Sequence, residues 1–227
     1  MVSILLKNNS TEVIVSLIEN LEPLIRVLSA GPINEKLIPA LINLAQDKIW
    51  RIRLAAVQFF PRLSEYIDRE TFTQKVEPTL LGMMIDPVFM IREESTRTII
   101  KLSKSIYDAA WLERVVVNKL EELVRHERFM LRIQTIHLVN QIIGEVDADF
   151  MNQAVLQNLL ILAEDQVPNI RFNVSKCISG IYQNLSPANK ERAQQALEKM
   201  ASSDTDFDSK YFAQKTLEAV TGRPYVE

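Results

Sequence analysis

An acidic residue followed six positions later by a basic one recurs along this 227-residue chain at a near-constant interval. Asp47 precedes Arg53 in DKIWRIR, Asp86 precedes Arg92 in DPVFMIR, Asp165 precedes Arg171 in DQVPNIR, and Asp204 precedes Lys210 in DTDFDSK. In the remaining interval HERFMLR keeps the spacing, with His126 in place of the acid and Arg132 as the base. The bases at positions 53, 92, 132, 171 and 210 keep phase to within a single position. A fixed period of roughly 40 residues confines the chain to an array of like units, none able to bury its apolar face alone. One step further back lands on Ile14, where the acid and base are missing but the flanking apolar pattern persists.

Each unit reads as two helices. The first precedes the acid: LIPALINLA (37–45), VEPTLLGMMI (76–85), VVVNKLEELV (115–124), VLQNLLILAE (155–164) and RAQQALEKMA (192–201). Apolar residues recur at three- and four-residue spacings, as in Leu37, Leu41 and Leu44, which marks one buried helical face. The second helix begins near the base, and Ala55, Ser95, Ser175 and Ala213 are small enough to let neighbouring helices approach. Only 5 glycines occur, too few for a protein built on many tight strand turns. Pro39 and Pro78 hold the same early position in successive first helices and predict a kink there. Pro61 predicts a bend in its second helix, and Pro87 and Pro168 fall in turns.

Two helices per period of roughly 40 residues match the HEAT/armadillo class. The expected fold is all-α, a right-handed HEAT-repeat α-solenoid forming a single array over 1–227. Five full pairs span about 32–70, 71–108, 109–148, 149–187 and 188–227 after a partial unit at 1–31. Loss of the first leading helix is expected to expose Ile4, Leu5 and Leu6 and to favour weak self-association. The repeated acid is expected to cap the second helix. The base is expected to reach the acid of a neighbouring unit and fix the stacking register.

The turns between acid and base are unusually apolar. They carry Ile49, Trp50 and Arg51; Val88, Phe89 and Met90; Phe129, Met130 and Leu131; Val167 and Asn169; Asp206 and Phe207. Helix diameters put successive turns about 10 Å apart, so five would make a ridge roughly 40–50 Å long. Large apolar groups repeated on an exposed edge mark a binding surface, and Trp and Arg are enriched in interface hot spots. The other reading is that each such residue folds back to cap its own repeat.

Chemistry is not visible. No phosphate-binding glycine loop, HExxH or GxSxG occurs. Cys177 lies in an apolar helix and reads as a small core residue. His126 and His137 have no triad partners nearby, and an acid recurring once per repeat is structural rather than catalytic. The expectation is therefore no catalytic residue, no metal and no cofactor. With 26 basic against 29 acidic residues, nucleic-acid binding is not expected. No apolar run is long enough to span a membrane. A single cysteine and no secretory leader point to a cytoplasmic or nuclear location.

The strings WRIRLA, IREEST, NIRFNV and KYFAQ, in that order, resemble the C-terminal part of the scaffold (A-type, regulatory) subunit of protein phosphatase type 2A. The resemblance is strongest from Leu37 to Val220. It implies a non-catalytic scaffold whose last five repeats hold the phosphatase catalytic subunit through their turns. Regulatory B-type subunits would be held mostly by repeats this chain lacks. Carried over by position, the partner-binding residues are Trp50, Arg51, Phe89, Phe129, Met130, Leu131, Val167, Asn169, Asp206 and Phe207. Phe89 and Phe129 stand where that family usually has tyrosine, Leu131 where it has histidine, and His126 where it has the repeated Asp. The tail TGRPYVE extends past the family's usual end. The rival reading is a HEAT adaptor, similar to a nuclear-transport receptor, that takes a different protein on its inner helical faces.

Overall fold

The computed structural model describes residues 10–224; Ile4, Leu5, Leu6 and the end of the TGRPYVE tail lie outside them. All regular structure among the described residues is helical. The chain divides into two compact units at Asp108/Ala109, the boundary the period places between its second and third full repeats.

The first unit holds α1 (Thr11–Glu19), α2 (Glu22–Ile25), α3 (30–44), α4 (Trp50–Leu63), α5 (69–83) and α6 (Phe89–Ser105). The second holds α7 (Ala109–Val124), α8 (Phe129–Ile142), α9 (148–162), α10 (Pro168–Ile181), α11 (Pro187–Ser203) and α12 (Phe207–Thr221). In the first unit, second helices α1, α4 and α6 pack side by side, as do α8, α10 and α12 in the second. First helices α7, α9 and α11 pack on one another in sequence. Ile52, Phe59, Phe60 and Leu63 of α4 are buried with Ile38 and Leu41 of α3 and Ile91, Ile99 and Leu102 of α6. In the second unit Ile170, Val174, Ile178 and Ile181 of α10 are buried with Leu156, Leu159 and Leu162 of α9 and Leu197 of α11. Ala55, Ser95, Ser175 and Ala213 are all buried, as close helix approach requires. Gly222 ends α12 in the left-handed conformation, φ +69°, that glycine adopts without strain.

The prolines change the local hydrogen bonding. In α3 and α5 a π turn, Ile33–Leu37 and Phe72–Val76, comes immediately before the α segments carrying Pro39 and Pro78. The wider i→i−5 turn accommodates the missing N–H. Helix α9 has the same turn at Met151–Val155 with no proline after it, while α7 and α11 run as unbroken α-helix, so the turn does not require the ring. Pro61 leaves the Val57 carbonyl without its helical donor, and Thr98 Oγ1 from α6 donates to it at 3.4 Å. Pro23 does the same to the Glu19 carbonyl, where the second helix of the partial unit breaks into α1 and α2. Arg62 Nη1 donates there at 3.3 Å. Pro168 is not in a turn but at the first position of α10, where no N–H is needed.

The acid–base repeat forms the expected ladder at Arg53, Arg132 and Arg171. Arg53 donates through Nε and Nη2 to both Asp86 oxygens, at 2.8 and 2.9 Å. Arg132 does so to Asp165, at 2.6 and 3.0 Å, and Arg171 to Asp204, at 2.7 and 2.6 Å. The third nitrogen, Nη1, folds back on its own turn, reaching the carbonyls of Asp47, His126 and Asp165. Each guanidinium thus ties its own turn to the next repeat.

The acids do not cap as expected. The residue before α4, α6, α8 and α10 is Ile49, Val88, Arg128 or Val167, and none offers a side-chain cap. The acid sits two residues earlier and accepts the N–H of the residue two ahead: Asp47 from Ile49, Asp86 from Val88, Asp165 from Val167. It closes the turn and leaves the helix end to the backbone. His126 does the same job through Nδ1, accepting the Arg128 N–H at 3.0 Å. An imidazole nitrogen therefore supplies the acceptor that a carboxylate oxygen supplies elsewhere. Among these second helices α12 differs: Asp206 is a side-chain cap and accepts the Ser209 N–H.

Burial alone would push the Asp165 carboxyl up, but bonds from Arg132 and the Val167 N–H outweigh it and hold the group below its ordinary value. The Arg171 hydrogen bonds hold Asp204 down against the opposing effect of burial. Both carboxyls titrate lower folded than unfolded. Their contribution is complete above the unfolded carboxylate pKa of about 4 and is lost as pH falls through the folded values. Melting followed from pH 7 to pH 2 should hold its midpoint to about pH 5 and drop below about pH 4. An Asp165→Asn chain should start lower at pH 7 and lose less on acidification. An equal acid-induced drop in both would count against the ladder as its source.

Candidate protein-interaction surface

The closed turns fix the residues between acid and base, and helix geometry sorts them. The residue just before the base is the third of its helix and points inward: Ile52, Ile91, Leu131 and Ile170 are all buried, as is Ser209. Leu131 is therefore corrected. It is 7% exposed and belongs to the core row, not to the surface. The two residues before it begin the helix and point outward. Trp50, Phe89 and Phe129 are 37%, 40% and 43% exposed, and Phe207 reaches 79%. Met90 and Met130 stand beside Phe89 and Phe129, equally exposed, and Arg51 is exposed next to Trp50.

In the first unit the Arg53–Asp86 bridge brings the turn of Trp50 and Arg51 beside that of Phe89. The Arg51 guanidinium lies 5.1 Å from the Trp50 ring centre, and that of Arg92 5.6 Å from the Phe89 ring, both within cation–π range. In the second unit two bridges join three turns in series. The first carries Phe129 and Met130, the next Val167 and Asn169, the last Asp206 and Phe207. These differ in character. Asn169 is exposed and accepts from Asn173, Val167 is half-buried, and Asp206 is committed to its cap. Pro168 occupies the position that is aromatic in the other repeats.

One cluster goes beyond what the sequence predicts. Phe172 of α10 and Phe212 of α12 lie 5.5 Å apart between ring centres. Tyr211 meets Phe212 edge-on at 5.3 Å and stacks on Phe207 at 6.5 Å. Its trace in the sequence is a second recurrence at the repeat interval, Phe172 to Tyr211 and Lys176 to Lys215. Cys177 is buried, and burial pushes its thiol up to about 12, which removes it as a nucleophile near neutral pH. Among the described residues no three His, Cys, Asp or Glu side chains are grouped to hold a metal. No helix among them is long and apolar enough to cross a membrane.

Paired helices in register, an inter-repeat Arg–Asp ladder and exposed aromatics at the helix starts define a HEAT/armadillo-type α-solenoid protein. Within that class the chain belongs to the family described as PIK3R4-like, middle domain, which matches residues 1–142. The A-type regulatory subunit of protein phosphatase PP2A from Saccharomyces cerevisiae is 30% identical over 122 residues, covering 49% of this chain and 19% of that protein. The chain thus spans about a fifth of that relative's length. Among solved structures, importin beta aligns with a TM-score of 0.62 at 13% identity, covering 96% of this chain and 29% of importin beta. The MAST/Orbit N-terminal domain aligns at 0.61 and 15% identity, covering 96% of each chain. A TOG-domain structure of crescerin aligns at 0.60 and 16%, covering 91% of this chain and 85% of the other. At these identities the structures establish the fold alone.

Proposed function

We propose that this chain is a non-catalytic scaffold that presents the starts of its second helices to a globular protein, and that the partner is the catalytic subunit of a type 2A serine/threonine phosphatase. The observation that carries the proposal is the repeated exposure of an aromatic residue and its neighbour at one register position, Trp50 and Arg51, Phe89 and Met90, Phe129 and Met130. Ordinary turns are polar, and side chains of this size left in water at a rigid, recurring site are the substance of an interface. Similarity to the yeast phosphatase regulatory subunit supports the choice of partner. In this reading Trp50, Arg51, Phe89, Phe129, Met130, Asn169 and Phe207 make contact. Val167 and Asp206 shape their turns, and the protein acts in the cytoplasm or nucleus.

A second reading has its own support. The family match over residues 1–142 and the solenoid fold are equally compatible with an adaptor for a different protein partner. Calorimetric titration of the purified chain with a type 2A catalytic subunit separates the two. Saturable one-to-one binding is expected. A folded chain that gives no heat at micromolar concentrations removes the phosphatase reading and leaves the adaptor. Phosphatase activity that stays with the purified chain through gel filtration, with no second protein present, would overturn the non-catalytic assignment.

A further inference from the structure

We infer that the paired faces of α10 and α12 form a second binding surface, built around Lys176, for an acidic segment of a partner protein. Lys176 is exposed. Its Nζ lies 3.8 Å from the Phe212 ring centre and 4.8 Å from that of Phe172. Two ring faces from adjacent repeats therefore hold one ammonium in place. The neighbouring cation is used differently: Lys215 donates to Glu218 at 2.8 Å. Lys176 makes no ion pair among the described residues, so its charge is fixed in direction and left without a carboxylate.

An ammonium ordered in advance spares an incoming anion part of the cost of immobilising a long side chain. The rings that hold it continue through Tyr211 to Phe207, exposed at 43% and 79%, and these offer apolar area beside the charge. Asp208, in the first turn of α12, disfavours an acid at the Phe207 end. The complementary ligand has a carboxylate at the Lys176 end and an aliphatic side chain toward Phe207. Lys176 lies about two helical turns beyond the turn of Val167 and Asn169; the two surfaces share only Phe207, and the charge held at Lys176 does not depend on the turn surface being a phosphatase site.

The test is fluorescence anisotropy at low salt with a labelled peptide of alternating Asp and Leu, set against an Asn/Leu peptide of equal length. The acidic peptide should bind with a midpoint below millimolar and weaken as salt rises, and the neutral peptide should not bind. Lys176→Met should reduce affinity at least about tenfold by removing the charge while keeping the stem. Lys176→Arg should retain it, and Phe212→Ala should lose part of it. Circular dichroism should be unchanged in the Lys176 variants. Equal binding of both peptides, an unaffected Lys176→Met chain, or no binding of the acidic peptide at millimolar concentration would each overturn the inference. A chain that loses peptide binding yet keeps its turn-mediated partner shows the two surfaces to be separate.

Discussion

Replacing Asp165 with alanine should lower the unfolding free energy by about 3 kcal/mol, the usual consequence of removing one partner from a buried ion pair. The Arg132 and Asp165 side chains are only 10% and 5% exposed. Without the carboxylate, the Arg132 guanidinium keeps one nitrogen on the His126 and Glu127 carbonyls and has no counter-charge. The Val167 N–H loses its acceptor as well, so the turn opens at the same time as the repeat junction. Urea unfolding followed by circular dichroism measures the loss. Changing Arg132 to methionine in the same chain should recover much of it, since an apolar pair leaves no stranded charge. The control is Lys199 with Glu164, a bridge of 2.7 Å between exposed side chains. Its distance is as short, yet Lys199→Ala should not shift the urea midpoint measurably, because water solvates both ions without the pair. Equal effects at the two bridges would mean that burial does not decide the strength of the ladder.

That ladder is also why so much of the fold is legible in the sequence. A guanidinium bonded to the next repeat's carboxylate tolerates little drift in spacing, so acid and base stay in phase while the apolar residues around them vary. The same phase places Leu131 beside Ile52, Ile91 and Ile170. Hydrophobicity alone puts Leu131 on the surface of the third turn, whereas its position relative to Arg132 marks it as core. Hydrophobicity does not say which way a residue at a helix start points; its offset from a fixed residue does. The π turns carry no such mark. Prolines follow two of them but not the turn at Met151–Val155, so composition does not locate all three. The Lys176 cluster joins side chains from different repeats, Phe172 and Phe212, and the recurrence of Phe172 at Tyr211 and of Lys176 at Lys215 does not say that they meet.

Truncating Trp50 to alanine should weaken partner affinity by about 2 kcal/mol or more, roughly 30-fold, while the helical signal stays nearly unchanged. The residue begins α4, so its backbone N–H has no helical partner to lose. Its ring is 37% exposed, and Arg51 flanks it at 5.1 Å. An aromatic and an arginine that share an exposed site give a partner a large apolar area and an ordered charge for little further loss of entropy. Leu131→Ala provides the opposite case. That side chain is 7% exposed and packs inward, so its removal should cost about 2–4 kcal/mol of stability. Partner affinity, measured under conditions where that chain remains folded, should hardly change. The paired outcomes separate surface from core at two residues that the sequence places alike beside a turn. If Trp50→Ala unfolds the chain, or if Leu131→Ala abolishes binding without loss of stability, the outward and inward rows have been assigned the wrong way round. If Trp50→Ala changes neither stability nor affinity for a partner that does bind, contact is made elsewhere, and the inner helical faces favoured by the adaptor reading become the surface to map.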